Sequence, residues 1–238
     1  MARAAAVESH PDPRIPLEWR ELHRATPVGE RVALGPLPRA DWPNRLLEPI
    51  IEGAGFVEPT GRTRGGMVAI TAERSRTLPD TVGPGMRLLL VGLNPSILSA
   101  DVGTGFARPG NRFWPAAIEA GLVTVARDPL DALVSHGIGM TDLVKRATRA
   151  AAELEPGEYV HGLERLDVLA GWLQPEAVCI IGLAGWRVAV DRKATTGWHD
   201  RGVGDRPTYV MPNPSGLNAH DTVASLAAHL RTAAAGPA

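Results

Sequence analysis

Apolar residues along this chain fall into two kinds of run. MRLLLVG (86–92) and AVCIIG (177–182) are almost continuously apolar, which predicts strands covered on both faces. PTYVMP (207–212) is a third such strand, and GIGMTDLV (137–144) is a weaker candidate. Other segments repeat at helical spacing. GLERLDVLAGWL (162–173) places Leu163, Leu166, Leu169, Ala170 and Leu173 on one face, and a last helix from about Asp221 does the same with Val223, Leu226, Ala227 and Leu230. Asn111 can cap a further helix through FWPAAIEAGL, with Pro115 in its first turn and Gly121 at its end. Strands alternating with helices predict an α/β fold, a three-layer α/β/α sandwich around a central, mainly parallel sheet.

The alternation starts near residue 85, so the main domain is expected over 85–232. Residues 1–15 and 233–238 are small, polar or proline-rich, and they read as a disordered N-terminus and a flexible tail. Residues 16–84 read as an N-terminal extension or a small subdomain. Within them DWPNRLLEPIIEGAGF (41–56) predicts a short helix, with Pro43 near its start and Gly53 near its end. GGMVAITAE (65–73) predicts a strand, and LPDTVGPG (78–85) a connector into the main domain.

Composition narrows the chemistry. The chain has 238 residues, 44% apolar and 21% charged, as in ordinary soluble globular proteins. A net charge of −1 provides no global attraction to nucleic acid, so such binding requires a local patch. Every basic residue except Lys145 and Lys193 is arginine, which suits phosphate recognition but also follows from coding bias toward Arg, Ala, Gly and Pro. A lone cysteine, Cys179, excludes disulfides and four-cysteine metal sites within one chain, and its apolar setting makes it a core residue. The histidines show no metal-ligand spacing, and neither a Ser-His-Asp order nor a P-loop is apparent. Neither an 18-residue apolar run nor the apolar stretch of a signal peptide is found, so a cytoplasmic location without membrane contact is expected.

One tripeptide occurs twice. VGLNPS (91–96) and YVMPNPSGLN (209–218) both place Asn-Pro-Ser directly after an apolar strand candidate. Turn formation alone accounts for either copy. Duplication does not, because the flanking residues share nothing further. Both copies fall at the carboxyl ends of strands, where open α/β sheets bind ligands.

The residues around each copy carry a resemblance. GLNPSILSADVGTGFARPGNRFW (92–114) contains Gly92-Leu93-Asn94-Pro95, then Phe106, then Pro109-Gly110-Asn111-Arg112-Phe113-Trp114. This resembles the active-site signature of the mismatch-specific uracil/thymine DNA glycosylases of the uracil-DNA glycosylase superfamily, and MPNPSGLN (211–218) resembles that family's second signature loop. The resemblance spans roughly 84–232 and implies a uracil-DNA-glycosylase-like sandwich that extrudes a base from DNA and hydrolyses its N-glycosidic bond. It implies that Asn94 holds the attacking water, and that turnover is slow, since faster relatives place an aspartate in this motif. Gly92, Leu93, Ser99, Phe106 and Asn213 would bind the base, with Phe106 stacking on it. Arg108, Arg112, Ser215, Gly216, Leu217 and Asn218 would contact DNA, with Leu217 as a wedge in the vacated stack. The best-known bacterial pattern has Ser-Arg after the leucine, whereas this chain has Asn218-Ala219-His220, which puts mismatch selectivity in doubt. No cofactor or metal is implied, and the implied partner of the monomer is double-stranded DNA carrying uracil or a mismatch. A relative retuned to another lesion base and a catalytically weak damaged-DNA-binding protein remain alternatives.

Overall fold

The computed structural model describes residues 11–216, Asn218 and residues 220–237. The expected wedge Leu217 and most of the expected N-terminal tail lie outside the described residues. The N-terminal region forms helix α1 (Ile15–Ala25), strands β1 (Arg31–Ala33) and β2 (Leu37–Pro38), helix α2 (Asn44–Gly53), and the hairpin of β3 (Phe56–Arg64) and β4 (Met67–Arg74). β4 pairs antiparallel with β1, β2 and β3. Its alternation buries Val68, Ile70 and Ala72 in one cluster with Leu46, Leu47, Ile50 and Ile51 of α2, while Met67, Ala69 and Thr71 stay exposed. The helix at 44–53 and the strand at 67–74 match the patterning. β1 and β2 are too short to show a period, and every residue of β3 after Phe56 is exposed, so no apolar alternation marks it.

The main domain follows with β5 (Leu88–Gly92), α3 (Ile97–Val102), α4 (Phe113–Glu119), α5 (Pro129–His136) and β6 (Ile138–Asp142). Then come α6 (Pro156–Leu173), β7 (Ala177–Ile181), α7 (Leu183–Ala189), β8 (Gly197–Val203), β9 (Arg206–Met211) and α8 (Val223–Ala235). The strand order is β6-β5-β7-β9-β8, and every pairing is parallel except β8 with β9. Alternate residues feed opposite layers. Leu88, Leu90, Ala177, Cys179 and Ile181 pack with Phe113, Trp114, Leu226 and Leu230 of α4 and α8. Leu89, Val91, Val178, Ile180 and Val210 face Leu163, Leu166 and Leu169 of α6 and Trp186 of α7. Each of these buried leucines contributes roughly 1.5–3 kcal/mol of transfer free energy. This is the α/β/α sandwich that the patterning predicts.

The N-terminal region shares the second of these cores. Trp19, Trp42, Ile50 and Phe56 belong to the same cluster as α6 and α7, and the Trp42 and Trp172 rings meet edge-on at 5.5 Å. The connector also joins the sheet edge, where Thr81 and Met140 exchange backbone hydrogen bonds of 2.9 and 2.8 Å. Two local readings are revised, at the segment after Asn94 and at the C-terminal tail. The Gly-rich stretch after Asn94, expected as a loop, begins with α3, which Ser96 caps by accepting from the Ser99 amide at 3.1 Å. GVGDRP is the turn of the β8–β9 hairpin, with Gly204 and Asp205 at φ 57° and 59° as a two-residue hairpin turn needs. α8 continues through Ala235 with Ala233 buried, so the tail expected from 233 starts later.

Candidate active site

Four parallel strands end on one cleft of about 180 Å³ at the carboxyl edge of the sheet. β5 leads into Leu93 and Asn94, β6 contributes Asp142, β7 Ile181, and β9 leads into Asn213. The chain leaves β5 toward β6 on one side and resumes at β7 on the other, which is where an open sheet parts to form a crevice. The volume is below the roughly 300–1,000 Å³ of sites for drug-sized ligands. It suits a single planar ring.

Asn94 is held from one side only. Its Nδ2 donates to Arg146 O at 3.0 Å and Thr148 Oγ1 at 2.8 Å, with a longer contact to Pro95 O at 3.3 Å. A carbonyl cannot donate, so the amide nitrogen must face Arg146 and Oδ1 must face away. The segments are further stitched by Thr148 N to Pro95 O at 3.1 Å and Ile97 N to Thr148 O at 3.2 Å. Leu93 contributes its backbone to the cleft, because its side chain turns toward Gly185, where a Cβ would lie 2.7 Å from Leu93 Cδ1. Ser99 is buried on the cleft wall and accepts from the Ser96 hydroxyl at 3.0 Å.

The NRFW segment accounts for the loop around Phe106. Asn111 Oδ1 accepts from the Phe113 amide at 2.9 Å in an Asx turn that leads into α4, but the residue at the cap position is Arg112, not Asn111 as expected, because the helix begins only at Phe113. Trp114 Nε1 donates to Gly105 O at 2.9 Å and pins the Gly-rich loop. Phe113 stacks against Phe106 with centroids 4.1 Å apart and planes 26° from parallel. Phe106 itself lies at φ 57°, a conformation that costs an aromatic residue of order 1–3 kcal/mol and persists only where its surroundings impose it. One ring face is thus supported by the core while the residue lines the cleft, half-buried.

Arg112 points inward. Its guanidinium donates to the carbonyls of Asp221, Ser215 (2.7 Å) and Asn218, and its amide donates to Pro214 O at 3.0 Å. It therefore clamps the second Asn-Pro-Ser loop to the first signature instead of extending toward solvent. Gly216 is pressed onto the same segment, since a Cβ there would lie 2.9 Å from Gly110 O. Within the second loop Asn213 Oδ1 accepts from the Ser215 amide at 2.9 Å. Asn218 closes the loop on itself, donating to Asn213 O at 2.9 Å and Asp221 Oδ2 at 2.8 Å. Arg108 is exposed at the rim, with Nη2 on Arg149 O at 2.6 Å.

Beneath the cleft lies a charged cluster absent from the sequence reading. Asp80 accepts from Lys145 Nζ at 2.7 Å, Arg165 Nη1 at 2.9 Å and Thr141 Oγ1 at 2.6 Å. Burial alone would raise its pKa, but Lys145 and Arg165 outweigh burial and hold it below the ordinary carboxylate value. Asp142, one strand position from Thr141, is equally buried and lines the cleft. Burial pushes its carboxyl up to about 6, against the pull of Lys145, because Lys145 is already committed to Asp80 and to Leu78 O at 2.5 Å. Asp142, Thr148 and Arg149 are the polar cleft residues that sequence reasoning missed, with Leu78, Ala150, Ala151 and Ile181 beside them. The available signal was a Thr-Asp pair closing the weakest strand candidate at the same sheet edge as both Asn-Pro-Ser copies. Among the described residues no cluster of His, Cys, Asp and Glu could hold a metal ion, and no helix is long and apolar enough to cross a membrane.

Residues 79–233 match the uracil DNA glycosylase superfamily, more than half of the chain and every residue of this cleft's lining except Leu78, so the chain belongs to that superfamily. Membership places it among the DNA glycosylases, hydrolases of base–sugar bonds in DNA repair. Among solved structures it is similar to the solution NMR structure of a candidate uracil DNA glycosylase from Methanosarcina acetivorans, at 21% identity and a TM-score of 0.45, covering 66% of this chain and 96% of that one.

Proposed function

We propose that this chain hydrolyses the N-glycosidic bond of uracil in duplex DNA, in G:U mismatches above all, after extruding the nucleotide, and leaves an abasic site. The observation that carries the reading is the one-sided hold on Asn94. With Nδ2 spent on Arg146 O and Thr148, Oδ1 is the atom left to accept from a water in the cleft. An amide is no proton acceptor of useful strength near neutral pH, so catalysis rests on positioning the water and stabilising the leaving base. As the bond breaks, negative charge grows on the base. Asn213 lines the cleft with Oδ1 occupied by the Ser215 amide, so its Nδ2 is directed outward as a donor for a pyrimidine oxygen. Phe106, backed by Phe113, stacks on the base, a contact worth about 1–3 kcal/mol in single-strand binders.

Arg108 and Ser215 grip phosphates beside the cleft, Gly216 lets the second loop approach the strand, and Leu217 fills the vacated stack. Arg112 and Asn218 serve DNA binding by holding that loop in shape. The proposed enzyme works as a monomer, without cofactor, and is monofunctional. Lys145, the lysine at the cleft floor, is buried against Asp80, which leaves no free amine there to form a Schiff base. The test uses labelled duplexes carrying uracil, thymine, hypoxanthine or ethenocytosine opposite guanine, followed by alkaline cleavage of abasic sites. The wild type is expected to release uracil. Binding to every duplex with release from none would overturn the reading in favour of a damage-binding protein.

A further inference from the structure

The loop that carries Phe106 is held from the core on one side, where Trp114 fixes Gly105 and Phe113 backs the ring. On the other side it meets three residues that precede the segment shared with the superfamily. Arg76, just after β4, bonds Asp101 of α3 through two parallel contacts, Nε to Oδ1 at 2.7 Å and Nη2 to Oδ2 at 2.6 Å. Such a fork fixes direction as well as distance. Arg24, in the last turn of α1, lies against Gly103, which ends α3 at φ 71°. Its Nη1 is 3.4 Å from Gly103 O, and only 2.5 Å from where a Cβ on that residue would stand. Leu78 lines the cleft itself, with Cδ2 3.6 Å from the Cβ position of Gly105. Leu78 is fixed in turn, since Lys145 Nζ donates to its carbonyl at 2.5 Å and Thr77 Oγ1 donates to Lys145 O. Behind the loop, a cavity of about 20 Å³, the size of one water, lies between Phe106 and the residues Thr81 and Met140. The sheet therefore backs this loop incompletely, and its position depends on the contacts at its ends and on Leu78.

We infer that the N-terminal region is a working part of the cleft, in which Arg24, Arg76 and Leu78 hold the Phe106 loop in position for the extruded base. The inference rests on the glycosylase reading and gives the N-terminal region its role within it. Phe106 at φ 57° is in a conformation that an aromatic residue keeps only under restraint. Trp114 restrains the loop at Gly105, and the two arginines restrain it upstream, at the end of α3. Neither arginine lines the cleft, so both are positioning residues that act through Phe106. An exposed ion pair such as Arg76–Asp101 adds little to global stability. Its effect is local. A stacking ring fixed before the base arrives does not have to be ordered when the base binds, which lowers the cost of engagement.

The experiment measures single-turnover release of uracil opposite guanine, binding to unmodified duplex, and thermal melts. It compares wild type, Arg24→Ala, Arg76→Ala, Leu78→Ala and Phe106→Ala, and repeats Arg76→Ala and Leu78→Ala in the Phe106→Ala background. Arg76→Ala is expected to melt within about 4 °C of the wild type. Its release of uracil is expected to fall about two- to fivefold, the size of one exposed ion pair, with binding to unmodified duplex unchanged. Arg24→Ala is expected to cost less, and Leu78→Ala about tenfold. Without Phe106 both Arg76→Ala and Leu78→Ala are expected to lose their effect, because they act through that ring. Exchanging the pair, Arg76→Asp with Asp101→Arg, is expected to restore release. If Leu78→Ala does not fold, Arg76→Ala still carries the readout. Losses of equal size with and without Phe106 would overturn the inference and leave these residues a purely structural part. Weaker binding of Arg76→Ala to unmodified duplex would assign the arginine to a phosphate and overturn it as well. Unchanged release in all three N-terminal variants would overturn it while leaving the glycosylase reading intact. No release of uracil by the wild type overturns both.

Discussion

The two Asn-Pro-Ser loops have the same three residues and opposite chemistry. In the first, the Asn94 amide nitrogen is consumed by Arg146 O and Thr148, and an acceptor is left over. In the second, Asn213 Oδ1 is consumed by the Ser215 amide, and a donor is left over. An asparagine side chain offers both functions, so what it presents is set by which half its neighbours occupy. The first loop draws its neighbour from a segment some fifty residues away, 146–148. The second turns on itself and is then fastened from outside by Arg112. The first thereby presents a rigid acceptor, which the proposed function assigns to a water, and the second a donor on a clamped flap.

The largest test of this contrast is Asn94→Ala, which is expected to lower uracil release by about 10²–10³-fold with little change in duplex binding, measured by single-turnover kinetics and by titration. Arg112→Ala leaves three loop carbonyls unpaired and is expected to lower stability by about 1–3 kcal/mol in denaturant melts, with weaker DNA binding as the second loop detaches. Asp142→Asn acts at the floor of the first loop and should stabilise. The folded-state pKa of about 6 stands above the ordinary 3.8, so the unfolded chain ionises first as pH rises from 3.8, and stability falls until about pH 6 and stays reduced above it. The variant escapes this loss, so its gain is expected to be about 1–3 kcal/mol at pH 7–8 and to vanish near pH 3.5 in melts across that range. Asn213→Ala removes only one donor and is expected to cost about tenfold in release. Thr148→Val, which leaves Arg146 O to hold Asn94, is expected to cost only a few-fold. Equal losses for Asn94→Ala and Asn213→Ala would erase the distinction between the loops.

Much of the fold was legible in the order of residues. Continuous apolar runs marked β5 and β7 because a strand covered by helices on both sides must be apolar at every position. α4, α6 and α8 were legible because each buries one stripe. β3 and β8 were not, since an edge strand facing solvent has no apolar face to display. At the site, both signature segments and their shared sheet edge followed from the sequence, together with Asn94 and Phe106 as cleft residues.

What the sequence by itself determined is which residue types stand at the carboxyl ends of the strands, because the period of burial and the turn chemistry that follows it are local properties of the chain. Tertiary structure alone decided how those residues are used. It oriented the Asn94 amide through Thr148, turned Arg112 inward onto Asp221 and its neighbours, and left the Asp142 carboxyl with no donor among the described residues by committing Lys145 and Arg165 to Asp80. Each of these outcomes depends on a partner between 54 and 109 residues away, or on a competitor that arrives first. A hydrogen bond is made or lost according to what folding brings within about 3 Å, and spacing along the chain carries no record of that distance.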